Sequence, residues 1–255
     1  MNRQPVTISC SVAAFALLLN GGCATGDPPD PIPSAGAHHA AHAHPQQDAQ
    51  PSSHAHGQAH HQAHHGFSGA EEWAKRFDDP ARDAWQRPNA VLDALKLRDG
   101  MRVADIGAGT GYFAVRLARA LPHGTVYGID IEPDMVRYLH ERAQREGLSN
   151  LESQLGLPDD PQLEDRIDLV LVVDTYHHMA DRSAYFAHVS NQLAPGARIA
   201  IVDFKMGELP VGPPDSMKLP AEQIIQEMQA AGYALVQDDR ELLPHQVLLV
   251  FQLGP

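Results

Sequence analysis

Residues 67–255 of this 255-residue chain predict a doubly wound α/β fold built on seven strands. Three observations predict it. Short apolar strands alternate with segments whose apolar residues recur at helical spacing. One strand runs into a loop carrying three alternating glycines, Gly107, Gly109 and Gly111, and then into a helix. The stretch Ile167-Asp168-Leu169-Val170-Leu171-Val172-Val173-Asp174 is almost unbroken in apolar residues, the pattern of a strand covered on both faces.

Taken in order, folded structure is expected from near Phe67. The segment from Glu71 to Pro88 holds both tryptophans, Trp73 and Trp85, among charged residues. It reads equally as a lid over a site and as a helix packed on the sheet. Asn89 to Leu97 reads as a helix capped by Asn89 and ended near Gly100. Val103 to Ile106 is a buried strand, and Tyr112 to Leu121 a helix closed by Pro122 and Gly124. Such a unit brings backbone N–H groups and a helix N-terminus to one point. Glycine there keeps any Cβ out of the space between ligand and backbone.

The next strand, Thr125 to Asp130, ends in an acid 19 positions beyond Gly111. A carboxylate at that strand end reaches both hydroxyls of a ribose. A second reading stays open, in which Asp130 or Glu132 begins the following helix with Pro133 at its first position. Pro133 to Gly147 is that helix, Leu151 to Leu155 a short strand, and Gly156-Leu157-Pro158-Asp159-Asp160 a turn. The apolar strand from Ile167 delivers Asp174, Thr175, Tyr176, His177 and His178 to its C-terminal end, where open α/β sheets bind ligands. Asp181 to Gln192 is a helix, Leu193 to Ala197 a turn, and Arg198 to Phe204 a strand. A Pro/Gly-rich loop from Gly207 to Pro214 occupies a place where substrate-covering loops occur. Pro220 to Ala231 is a helix, and Tyr233 to Leu242 with Gln246 to Leu253 form a hairpin around Pro244-His245.

The glycine spacing discriminates between ligands. A dinucleotide fingerprint requires G-x-G-x-x-G, whereas Tyr112 stands at the sixth position here and Gly111 falls one residue early. The run Asp105-Ile106-Gly107-Ala108-Gly109-Thr110-Gly111 resembles motif I of the class I S-adenosylmethionine (SAM) methyltransferases. Asp174-Thr175-Tyr176-His177-His178-Met179 resembles motif IV of their small-molecule members, and Leu193-Ala194-Pro195-Gly196-Ala197 their L-x-P-G-G turn, with Ala197 for the last glycine. The resemblance implies a Rossmann-like, mostly parallel sheet with an antiparallel last strand, SAM as cofactor and a small-molecule methyl acceptor. It also implies roles for individual residues. Asp105 would help hold the methionine end, with Gly107, Ala108, Gly109, Gly111 and Tyr112 along the loop that passes under the cofactor; Asp130 would meet the ribose, and Ile131 beside it would also touch the cofactor. Leu157 stands where the family often has a polar residue facing adenine, so backbone groups or Asp159 would read that ring. Asp174 would touch the amino end or order its loop. Methyl transfer to a hydroxyl or acidic carbon needs a base, and His177 or His178 fits, the other then shaping the pocket.

Composition limits partners. With 32 acids against 19 bases the formal charge is −13, and no Lys/Arg cluster occurs, which argues against a nucleic-acid substrate. Residues 1–23 read as a signal peptide, with Arg3 before an apolar run from Val6 to Leu19 that is too short to span a bilayer. Cys23 stands where a lipoprotein is cleaved and lipidated, although Asn20 departs from the usual aliphatic residue. Membrane anchoring through Cys23, plain cleavage and a misassigned start with a cytoplasmic protein behind it all remain open. Residues 24–66 read as a disordered His/Ala/Pro-rich linker holding ten of the 16 histidines. Such a tract binds divalent metal loosely or merely spaces the domain from a membrane. The two cysteines, Cys10 and Cys23, fall in the leader, so residues 67–255 carry no thiol site. Export would separate the domain from cytosolic SAM, which keeps a second function in view: a non-catalytic lipoprotein with a metal-binding tract and a SAM-binding or scaffold domain.

Overall fold

A computed structural model describes residues 69–163 and 166–254. The leader over 1–23, its Cys23 and the linker over 24–66 lie outside the described residues. In chain order come α1 (Ala70–Phe77), a 3-10 turn (Pro80–Arg82), α2 (Asp83–Gln86), α3 (Pro88–Leu95), β1 (Arg102–Ile106), α4 (Ala114–Ala120), β2 (Thr125–Asp130) and α5 (Pro133–Arg145). Then follow β3 (Leu151–Leu155), β4 (Ile167–Val173), a second 3-10 turn (Tyr176–His178), α6 (Arg182–Val189), β5 (Leu193–Phe204), α7 (Ala221–Ala230), β6 (Tyr233–Asp239) and β7 (Gln246–Leu253).

Several boundaries differ from expectation for local reasons. Helix α3 starts at Pro88, whose ring presets the helical φ and whose missing N–H costs nothing at that position, so Asn89 lies inside the helix rather than capping it. Helix α4 starts at Ala114 because Gly111 holds φ 93° in the turn before it. Helix α6, expected over Asp181 to Gln192, is capped by Asp181, whose carboxylate accepts the Ala184 N–H at 3.2 Å, and gives way at Ser190 to a 3-10 turn. Strand β5 takes in the expected Pro195-Gly196 turn as an irregularity in its pairing with β4, between Ile167 and Leu169. Strand β6 stops at Asp239, whose carboxylate accepts the N–H groups of Glu241 and Leu242 at 3.2 and 2.9 Å and turns the chain.

The seven strands order as β3-β2-β1-β4-β5-β7-β6. All neighbours are parallel except β7, which runs antiparallel to both β5 and β6. Alternate residues of the central strands enter opposite cores. Val103, Leu169, Leu171 and Leu248 pack with Val91, Leu117 and Leu139 of α3, α4 and α5. Ala104, Val170, Val172 and Leu249 pack with Phe186 of α6 and Ile224 and Met228 of α7. Each large aliphatic side chain buried this way contributes about 1.5–3 kcal/mol, so both faces hold the sheet between layers of helices. Connections from β1 go to one side and those from β4 to the other. The switch point therefore lies at the C-terminal ends of these two strands, where a ligand crevice forms. Among the described residues no helix is long and apolar enough to cross a membrane.

Candidate active site

The glycine loop leaves β1 with Gly107, Gly109 and Gly111 at φ 76°, 54° and 93°. Four of its N–H groups are already engaged. Gly107 and Ala108 both donate to the Ile129 carbonyl at 2.8 and 2.9 Å, Gly109 donates to Asp130 Oδ2 at 2.8 Å, and Gly111 to the Ala108 carbonyl at 2.9 Å. The expectation that these groups converge on a ligand is thus corrected: they clip the loop to the end of β2. The glycines answer to packing within the protein. A Cβ on Gly107 would overlap the Thr175 side chain, its own Cβ included at 2.8 Å, and one on Gly111 or Gly128 would overlap the Leu139 methyls. Only at Gly109 is the approach looser, with the Phe77 ring 3.6 Å from where a Cβ would stand.

Asp105, at the end of β1, is 3% exposed. Burial pushes its carboxyl up to about 7, partly opposed by the Ala114 N–H and the Arg82 charge. Asp130 takes the local role read from sequence, with both carboxylate oxygens engaged inside the protein. Its Oδ1 accepts the Glu132 N–H at 3.0 Å, at the start of α5, while Oδ2 holds Gly109. Burial raises this carboxyl too, against the pull of those two N–H groups. Beside it, Ile131 and Leu157 are 45% and 43% exposed, apolar side chains left open at adjoining strand ends. The Leu157 turn is fixed to β2 through the Gly156 N–H, which donates to the Asp130 carbonyl at 2.9 Å; Asp159 on that turn is exposed. Tyr112 is buried, donates its hydroxyl to Asp83, and has its ring between the guanidinium carbons of Arg82 and Arg116 at 4.2 and 3.9 Å.

The two histidines after β4 part company. His177 and Asp203 side chains are 2% and 1% exposed, with His177 Nδ1 2.8 Å from Asp203 Oδ1 and the His177 backbone N–H donating to Oδ2 at 3.2 Å. This pairing places the ring proton on Nδ1 and leaves Nε2 as the basic nitrogen. His178 is exposed, its ring centroid 4.1 Å from that of His177. Asp174 sits at φ 54° and is held by the protein: Arg82 Nη2 donates to its Oδ2 at 3.0 Å, and the Gln246 amide donates to its Oδ1. Gln246 in turn accepts from Gln86 at 2.6 Å, and Gln86 accepts from Arg82 Nε and Nη2 at 3.2 and 3.1 Å, closing a ring of four side chains.

Sequence reasoning missed Asp203, Arg82, Gln86 and Gln246. Asp203 had a signal, an acid inside the apolar strand that neighbours β4, while the ring joins residues up to 160 positions apart with no local pattern. The tryptophan segment both packs and covers. Trp73 stacks on Phe77 at 5.2 Å, Phe77 lies over Gly109, and Trp85 meets Phe204 at 6.0 Å. Arg142 binds Asp78 at 2.8 Å and the Thr110 carbonyl at 2.9 Å, latching the segment to the loop.

A methyltransferase-domain family matches residues 97–246, more than half of the chain. This chain belongs to that family. The methyltransferase is of the class I, SAM-dependent type, and family and fold imply SAM as the methyl donor. A solved SAM-dependent methyltransferase from Aquifex aeolicus superposes with a TM-score of 0.68 at 26% identity, covering 72% of this chain and 98% of that one. The 27-O-demethylrifamycin SV methyltransferase of Amycolatopsis mediterranei is 32% identical over 46% of this chain and 44% of its own length. The malonyl-[acyl-carrier protein] O-methyltransferase of Acetivibrio thermocellus is 31% identical over 42% and 38%. The chain thus spans less than half of these two curated relatives. None of these proteins points to the scaffold or sensor alternative.

The residues fit the cofactor. Asp130 suits a diol, Ile131 and Leu157 an apolar ring, and Asp105, Asp174 and Arg82 a zwitterion. Thr110 Oγ1 is a buried hydroxyl within the loop that has no partner among the described residues. Also among the described residues, no cluster of His, Cys, Asp and Glu is arranged to hold a metal ion.

Proposed function

We propose that this methyltransferase moves the SAM methyl group to an oxygen of a small organic acceptor, with His177 as the base. The buried His177–Asp203 pair beside the switch point carries this reading. SAM supplies an electrophilic methyl on a sulfonium. Asp130 would hold the ribose, Ile131 and Leu157 would offer the adenine an apolar site, and Asp105 with the loop from Gly107 to Tyr112 would take the methionine end. Asp203 orients the His177 ring and stabilises the cation formed when Nε2 takes the acceptor proton, a contribution of about 10²–10⁴ in rate for a well-placed base. Exposed His178 stands outside that pair. The names of the rifamycin and malonyl relatives, both O-methyl transfers, support an oxygen acceptor.

Calorimetry with SAM tests the cofactor half. The wild-type protein should bind it, and Asp130→Ala should weaken binding by about 10- to 100-fold, the worth of one or two charge-assisted hydrogen bonds. Equal affinity in the two proteins would remove Asp130 from the site.

A further inference from the structure

SAM ends in an amino acid, so its pocket must satisfy an ammonium and a carboxylate. The ammonium is easily provided for, because Asp105 and Asp174 stand at the ends of β1 and β4. The carboxylate is not. The loop N–H groups of Gly107, Ala108, Gly109 and Gly111 are engaged with Ile129, Asp130 and Ala108, and the two acids offer a carboxylate no attraction. A cation suits it. Arg82 is that cation. Its side chain is 14% exposed, it lies 3.0 Å from Asp174, its charge lowers the Asp105 carboxyl, and it stacks on Tyr112 at 4.2 Å. Four of its N–H groups are accounted for: Nε and Nη2 to Gln86, Nη2 to Asp174 and Nη1 to the Phe77 carbonyl at 3.1 Å. A guanidinium carries about five N–H groups, which leaves one on Nη1.

We propose that Arg82 binds the carboxylate of SAM, so that the Arg82–Asp174 pair receives the two ends of the zwitterion. The inference rests on the SAM reading above. It makes the segment before residue 97, outside the matched stretch 97–246, a working part of the cofactor site. Arg82 arrives on the 3-10 turn of the covering segment, and the ring formed with Gln86, Gln246 and Asp174 holds its guanidinium in place.

The test compares SAM with decarboxylated SAM, which keeps the ammonium and the sulfonium and lacks only the carboxylate. By calorimetry the wild-type protein should prefer SAM by about 10- to 100-fold, the scale of a hydrogen-bonded ion pair. Arg82→Met should bring the two ligands to within about twofold, by loss of SAM affinity alone. Arg82→Lys, which keeps the charge without the fork, should retain part of the preference and decides the matter if the Met variant does not fold. A preference that survives in both variants, or none in the wild type, overturns the role of Arg82. A wild-type protein that binds neither ligand overturns the SAM reading instead.

Discussion

Gly107→Ala is expected to lower stability by about 2–4 kcal/mol, the sum of a left-handed backbone with a Cβ and an overpacked contact. Gly107 sits at φ 76°, and the added methyl would overlap Thr175, whose own Cβ lies 2.8 Å away. A rotamer change cannot relieve this, since Thr175 Cβ belongs to every rotamer. Its Oγ1 also donates to the Val173 carbonyl at 2.9 Å. The chain after β4 would have to move, and with it the turn that carries His177. Urea unfolding should show a lower midpoint at unchanged slope, together with loss of SAM binding. Thr175→Gly provides the control. If the clash is the cause, Gly107→Ala should cost clearly less in the Thr175→Gly background, whereas purely additive costs would trace the loss to the backbone conformation alone.

That prediction also marks what the sequence makes legible. Seven strands, the alternation with helices, the closing hairpin and the glycine loop were readable because each is a local pattern of period, turn chemistry and spacing. That Gly107 and Gly111 are glycines was readable. What they face was not, because Thr175 and Leu139 are brought to them by the pairing of β1 with β4 and the packing of α5. The same holds for the two histidines. Adjacent in sequence and identical in chemistry, they differ only through Asp203, which β5 brings beside β4. Trp73 and Trp85 announced the covering segment, yet its Arg82 gave no sign, since an arginine among Asp79, Asp83 and Gln86 reads as an ordinary exposed helix face.

Asp105→Asn should remove a pH dependence. Burial holds the Asp105 carboxyl at about 7 in the folded protein, against an ordinary value of 3.8. The unfolded chain therefore gives up this proton first, and between pH about 4 and 7 the native state binds more protons. The contribution of the neutral buried carboxyl is complete below pH about 4 and is lost as pH rises to about 7. Asp174 acts in the same direction, raised to about 7 by burial against the pull of Arg82. Asparagine keeps an acceptor for the Ala114 N–H and never ionises. Relative to wild type, the variant should thus gain stability on going from pH 4.5 to 7.5, by on the order of 2–4 kcal/mol. Denaturant unfolding of both proteins at the two pH values measures the difference directly and cancels the other carboxylates. A difference that stays constant with pH would mean that Asp105 is ionised throughout, with Arg82 strong enough to keep a buried carboxylate charged. The gain expected instead makes Asp105 a neutral carboxyl at mild acid pH, ready to be ionised by the arrival of a ligand ammonium beside it.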